Sequence, residues 1–299
     1  MKILLLTYPM PAEAFAAAIR ALAPEHELVE YRKGIDPARL AGIDVVLGWQ
    51  MPRGVAGLMP KLRWVCAIAA GVDNLLVDDL RADIPVSRVV DAEQADGVAQ
   101  FVVLMALRHA RALPIYETQQ RERLWRRSPI TAVRSRVTVL GTGAMGGVVA
   151  MLLGAVGFEV RGWSRTSAEP MDAILGASDI VVCALPLTAQ TQGLLDAGAF
   201  GAMPRGSYLI NVARGGHVVE ADLIAAVRSG HLAGAALDVQ RNEPMPAGDP
   251  LWDVPGITIT PHIAAQPSTE TIAAQFVAGL HCVERGLAPP HAIDRARGY

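Results

Sequence analysis

Short apolar runs alternate with helical patterns through the first third of the chain. Lys2 to Thr7, Leu28 to Tyr31, Val45 to Trp49, Arg63 to Ile68 and Pro85 to Val90 have the length and makeup of strands, and Ala12 to Ala23 reads as a helix. Such alternation predicts a parallel sheet flanked by helices. Ala92 to Arg111 holds no proline, and Val98, Phe101, Val102, Met105 and Leu107 give it the apolar positions of a long, mostly buried helix that could join two domains. A second alternating series begins at Val137 and continues through Glu159 to Trp163, Asp179 to Ala184, Tyr208 to Asn211, Gly234 to Asp238 and Ile257 to Thr260. This is the rhythm of a doubly wound nucleotide-binding domain. The closing helix, Ser268 to Glu284, needs a surface of its own and is expected to return to the N-terminal domain. The expected division is 1–94 plus 268–299 for one domain and 95–267 for the other.

Composition removes several function classes. With 299 residues and 52% hydrophobic content, the chain has material for about two domains with real cores, which excludes a disordered or fibrous protein. Its 27 basic and 29 acidic residues leave a net charge of -2, too small a field to gather nucleic acid or an anionic membrane, so a small-molecule partner is expected. Cys66, Cys183 and Cys282 are far apart and form no C-x-x-C pair, which suits a reducing compartment and offers no metal site. Lys2 and the apolar run after it imitate a signal peptide, but Pro9 and Pro11 cut the run below the roughly 7 to 15 residues such a region needs. Val137 to Phe158 carries no charge, yet its six glycines argue for strand, turn and buried helix instead of a membrane span. A cytoplasmic location is expected. Arg121 to Arg127 reads as a solvated or subunit-facing arm.

Gly141-Thr142-Gly143-Ala144-Met145-Gly146 follows the strand at Val137 to Leu140 and opens an apolar helix. In that setting the first glycine makes a tight turn, the second lets the backbone approach a pyrophosphate, and the third packs helix on sheet. Unpaired N–H groups at the helix start would hold the phosphates. The strand at Glu159 to Trp163 ends in Ser164-Arg165-Thr166, without the acid that would bind the ribose 2′-hydroxyl of NAD. A guanidinium suits a 2′-phosphate, so NADPH is expected over NADH, unless Arg165 merely lies over the adenine.

Three later segments sit at the C-terminal ends of predicted strands, where doubly wound sheets place ligands. Asn211-Val212-Ala213-Arg214-Gly215-Gly216 brings a cation, Asp238-Val239-Gln240-Arg241-Asn242-Glu243-Pro244 a carboxylate, and Thr260-Pro261-His262-Ile263-Ala264 an imidazole. Reduction of a 2-keto acid needs these types: a fixed positive charge for the substrate carboxylate and developing alkoxide, an acid to protonate that oxygen, and a partner that keeps the acid charged.

In this ordered set of motifs the chain resembles the D-isomer-specific 2-hydroxyacid dehydrogenase family, and within it the glyoxylate/hydroxypyruvate reductase A group. The likeness extends to Trp163-Ser164-Arg165-Thr166 and the terminal Asp294-Arg295-Ala296-Arg297-Gly298-Tyr299. It implies an α/β protein with two doubly wound parallel-sheet domains, a Rossmann cofactor domain inserted in a flavodoxin-like substrate domain. It also implies that Arg214 binds substrate, that Glu243 pairs with the histidine, and that His262 is the general acid. Ala70, Gly71 and Val72 match the family loop that holds the substrate carboxylate on backbone N–H groups. Val212 and Ala213 fall beside the cofactor. Asp238 is implied to bond the nicotinamide amide, with a simple turn role as the alternative. Leu185, Pro186 and Thr191 resemble the cofactor shelf and a pyrophosphate contact, or else pack locally. Trp49 and Trp125 resemble aromatic positions near the substrate pocket and the dimer arm, or else serve core or interface packing. A homodimer is the family's expectation.

Two departures stand out. Gln240 replaces an aromatic residue and Gln100 an acid of many relatives, and neither is expected to touch the chemistry directly. The competing readings are a reductase for bulkier 2-keto acids and a non-catalytic dinucleotide sensor on the same fold.

Overall fold

A computed structural model describes residues 1–127 and 135–298; Tyr299, the last residue of the terminal motif, lies outside them. Apolar runs too short to be helices become strands buried along their length, as in Val45–Gly48, Ile180–Cys183 and Ser207–Asn211. Among the described residues the chain runs β1 (Lys2–Leu6), α1 (Ala12–Leu22), β2 (Glu27–Glu30), α2 (Pro37–Leu40), β3 (Val45–Gly48), β4 (Trp64–Ala67), β5 (Val86–Ser87), α3 (Ala92–Ala110) and α4 (Leu113–Arg121). It continues through β6 (Arg136–Leu140), α5 (Ala144–Ala155), β7 (Glu159–Trp163), α6 (Met171–Gly176), β8 (Ile180–Cys183), α7 (Ala197–Ala202), β9 (Ser207–Asn211), α8 (Glu220–Arg228), β10 (Leu232–Leu237), β11 (Ile257–Ile259) and α9 (Thr269–Glu284). These elements divide into two units, Met1–Ala92 with Gln266–Tyr299, and Glu93–Ala265.

The first unit holds a parallel sheet of order β2-β1-β3-β4-β5, the flavodoxin-like order. α1 and α9 cover one face, where Phe15, Ile19, Ile272 and Leu280 pack with Ile3, Leu5 and Leu47. Trp64 of β4 stacks on Phe276 of α9 with ring centroids 5.1 Å apart, and its Nε1 donates to Ser87 Oγ at 2.9 Å. The last strand is shorter than the pattern predicts: Ser87, its final residue, also bridges antiparallel with Ala292, and Arg88 donates its N–H to the His291 carbonyl.

The second unit holds a parallel sheet of order β11-β10-β9-β8-β6-β7. Strand order reverses between β6 and β8, so the loops leaving those two strands form the crevice where such sheets bind ligands. The uncharged stretch from Val137 to Phe158 is β6, a glycine turn and α5, and no single helix among the described residues is long and apolar enough to cross a membrane.

α4 has no separate signal in the hydrophobic pattern because none of its residues is buried. Ala112, in the left-handed region at φ 52°, separates it from α3. Ile115 and Leu124 are about half exposed, and Trp125 is 99% exposed, which removes core packing as an account of that tryptophan.

Candidate active site

The glycine turn is fixed by sterics. Gly141 has φ +96°, and a side chain there would meet the Ala184 carbonyl oxygen at 2.6 Å. The turn and the loop after β8 can touch only because that side chain is missing. Gly146 brings α5 down onto the Gly141 carbonyl in the same way. Gly143 differs, since a Cβ on it would meet nothing within 4 Å. As N-cap of the twelve-residue α5 it offers no side-chain bond to the first turn. The result is an open cradle of N–H groups at the positive end of a helix, fit for a phosphate.

Beside it, β7 ends in a small hydroxyl loop. Ser164 N donates to Ser167 Oγ at 2.9 Å, and the Ser164 and Thr166 hydroxyls lie 3.1 Å apart. Arg165 is exposed, while Glu159 stands at the opposite end of the strand. The acid of β7 itself is thus at the end away from Ser164, Arg165 and Thr166.

After β8, Leu185 is buried in the apolar core of the unit. Thr191 uses its hydroxyl to hold the loop, donating to the Pro186 carbonyl at 2.7 Å and accepting the Thr188 N–H at 2.8 Å. Both thus give this loop its local shape. Pro186 is exposed.

The cation, carboxylate and imidazole come from the loops after β9, β10 and β11. Asn211, fully buried at the end of β9, accepts the Ala213 N–H at 3.1 Å and donates to the Arg214 carbonyl at 2.9 Å. That pair of bonds shapes the Val212-Ala213-Arg214 turn. Gly215 then lies so close to the loop after β10 that a Cβ would fall 1.9 Å from the Gln240 carbonyl carbon. His262 Nδ1 and Glu243 Oε2 are 2.8 Å apart, with side chains 29% and 32% exposed. The other oxygen, Glu243 Oε1, accepts the Gln240 N–H at 2.9 Å. Partial burial pushes the Glu243 carboxyl up, but the His262 hydrogen bond, the Gln240 N–H and the charges of His262 and Arg214 outweigh it, so the group stays below its ordinary range. Gln240 thus bonds the Glu243 carboxylate through its backbone N–H.

His262 has φ 55°, a left-handed conformation uncommon for a residue with a side chain. Asp238, 1% exposed, holds it there. Its carbonyl accepts the His262 N–H at 2.8 Å, Oδ1 accepts the Thr260 hydroxyl at 2.6 Å and the Ile263 N–H at 2.9 Å, and Oδ2 accepts the Ala264 N–H at 2.9 Å. Three of the carboxylate's roughly four acceptor positions are therefore filled by the histidine loop.

The remaining expected residues lie in the first unit. Trp49 is partly buried against that unit's core. Ala70, Gly71 and Val72 follow β4, and their N–H groups make no backbone hydrogen bond among the described residues, so they remain available to an anion. Sequence reasoning missed Asn211, His217 and Thr260 as supports. Only the position of each beside a motif could have signalled them, because their value lies in partners from other segments.

This arrangement is that of a two-unit α/β oxidoreductase. Residues 103–264 match the family model described as D-isomer specific 2-hydroxyacid dehydrogenase, NAD binding domain. The chain is 34% identical to the glyoxylate/hydroxypyruvate reductase A of Yersinia enterocolitica, over 96% of each. Among solved structures, it resembles a D-isomer specific 2-hydroxyacid dehydrogenase from Xanthobacter autotrophicus in complex with NADPH and MES, with 38% identity, a TM-score of 0.87 and coverage of 100% of this chain and 99% of that one. An NADPH-dependent glyoxylate/hydroxypyruvate reductase from Sinorhizobium meliloti, in complex with NADP and sulfate, has 30% identity, a TM-score of 0.87 and the same coverage. The chain belongs to the D-isomer specific 2-hydroxyacid dehydrogenase family.

Proposed function

We propose that this protein is an NADPH-preferring reductase of small 2-keto acids, of the glyoxylate and hydroxypyruvate type, yielding 2-hydroxy acids. The observation that carries the reading is the His262–Glu243 pair, held at 2.8 Å on loops at the C-terminal edge of the sheet that also bears Arg214. The neighbours named above, bound to NADPH or NADP and named as reductases, support it.

The cradle at Gly141 to Gly146 takes the pyrophosphate on the N-terminus of α5, and Ser164, Arg165 and Thr166 take the 2′-phosphate. A bound NADPH supplies the hydride. Arg214 pairs with the keto acid's carboxylate and steadies charge developing on the carbonyl oxygen. In the first unit, Ala70, Gly71 and Val72 offer N–H groups to a carboxylate, and Trp49 belongs to the same substrate role. His262, with Nδ1 bonded to Glu243, delivers a proton from Nε2 to the carbonyl oxygen. Glu243, ionised, favours the charged ring and fixes its orientation. Asp238 braces the histidine loop, and its remaining acceptor position would take the nicotinamide amide.

Two finer assignments accompany this reading. The exposed apolar side chains of Leu113, Ile115 and Trp125 are the arm of a homodimer. The three free cysteines, two of them buried, fit a cytoplasmic enzyme. The deciding assay is a panel of 2-keto acids, from glyoxylate to branched ones, with NADPH and NADH in parallel. The expected result is fastest turnover with the smallest acids and NADPH. A peak on bulky acids would move the substrate class, and NADPH binding without turnover on any acid would leave a dinucleotide sensor.

A further inference from the structure

The reaction uses Arg214 and the dinucleotide shelf after β8, yet these lie on separate loops, and one buried ring stands between them. His217, 0% exposed, closes the 3-10 turn Gly215–His217 that follows Arg214. Its Nδ1 is 3.0 Å from the Arg214 carbonyl oxygen, and its Nε2 is 3.3 Å from the carbonyl oxygen of Pro186. Both neighbours are acceptors, so the ring holds both loops at once only with a proton on each nitrogen, and a neutral ring donates to one of them alone. The anchored atoms are not incidental. The Arg214 carbonyl also takes the Asn211 side-chain amide, and the Pro186 carbonyl also takes the Thr191 hydroxyl. The ring thereby joins the two side-chain clamps of the cofactor loop and the arginine loop. Backbone pairing adds a second tie nearby, with Gly193 N donating to the Gly216 carbonyl and Leu195 N to the His217 carbonyl.

A leucine of similar volume would fill the space and pack against the same core. The choice of an imidazole is thus explained by its two nitrogens, since a buried polar group costs stability unless it is bonded. We propose that His217 is a positioning residue that, with a proton on each nitrogen, sets Arg214 for the keto acid through Nδ1 and the Pro186 shelf for the dinucleotide through Nε2. The proposal rests on the role given above to Arg214 and on the family resemblance that makes Leu185, Pro186 and Thr191 the cofactor shelf.

The two ties can be cut one at a time. An asparagine amide nitrogen lies about where His Nδ1 does, and a glutamine amide nitrogen about where Nε2 does. His217→Asn therefore keeps the bond to Arg214 and loses the bond to Pro186, and His217→Gln does the reverse. The measurements are the NADPH dissociation constant by fluorescence titration and KM for glyoxylate at saturating NADPH. For His217→Asn the expected result is NADPH binding weakened by about 5- to 10-fold, one hydrogen bond's worth, with KM for glyoxylate near wild type. For His217→Gln the pattern is inverted. His217→Leu loses both, and thermal melting reports whether it folds.

Equal losses in both constants for the Asn and Gln variants, tracking a lowered melting temperature, would mean a purely structural ring. Wild-type values in both variants would also overturn the proposal. Failure of the underlying reading looks different. In that case the wild-type protein itself binds no NADPH, or Arg214→Ala leaves KM for glyoxylate unchanged.

Discussion

His262 works from a backbone conformation that it would not choose alone. Asp238 imposes it by accepting from Thr260, Ile263 and Ala264 while its carbonyl takes the His262 N–H. In the proposed mechanism the rate of proton delivery depends on that placement. His262→Ala is expected to lower kcat by about 10²- to 10⁴-fold, the range for a positioned general acid, while leaving NADPH binding nearly intact. Steady-state rates beside a fluorescence titration separate the two quantities, and unchanged turnover would remove His262 from the mechanism. In the proposed function the cofactor choice rests on another single residue, Arg165. Arg165→Asp replaces a guanidinium by a carboxylate that repels a 2′-phosphate and accepts from a 2′-hydroxyl. The ratio of kcat/KM for NADPH to that for NADH is expected to invert, and persistence of the NADPH preference would place discrimination elsewhere.

At the scale of elements, α3 meets the second sheet through a pair of rings. His109 stacks on Tyr208 of β9, with centroids 4.4 Å apart and planes 14° from parallel. Burial pushes the imidazole down to about 4, against a weaker upward pull from the Asp179 carboxylate. In the unfolded chain the same ring takes up a proton near pH 6.5. Below that pH the unfolded state gains a proton that the folded state refuses, so folding stability declines as pH falls from about 6.5 to about 4, and is independent of this ring above 6.5. His109→Phe keeps the stack and removes the titration. Melting temperatures measured from pH 7 to pH 4 should fall less steeply in the variant, by the equivalent of about 2 kcal/mol at the acid end. Parallel slopes would show that His109 is not buried in the folded protein.

For the whole molecule, the homodimer proposed above can be tested at its exposed arm. Ile115 and Trp125 expose apolar area that a homodimer would cover, so the double substitution Ile115→Asp with Trp125→Asp is expected to shift the protein to monomer in sedimentation or light-scattering measurements. A wild-type monomer would refute the dimer outright. α4 shows where reading a sequence meets its limit. The strands and the long helices are legible because each buries a stripe of its own side chains, whereas α4 buries none and leaves no periodic trace. The same distinction runs through the site. Gly141, Arg214, Glu243 and His262 are visible because motif spacing marks them. His217 and Asn211 answer to partners brought by the fold, and the part played by the Gln240 backbone depends on a carboxylate that folds back onto it. The brace at Asp238 is a middle case: the residue is marked by its place after a strand, and its three donors are not.

Gly215 bears on any attempt to retailor the substrate range. It leaves no room between the arginine loop and the Gln240–Arg241 peptide, and the Gln240 side chain in turn donates to the carbonyls of Leu237 and Thr260. Grafting one of these loops from a relative with different taste would strand donors and acceptors in the two left behind. The segments 211–217, 238–243 and 260–264 form one inheritable cassette, to be transplanted together or not at all.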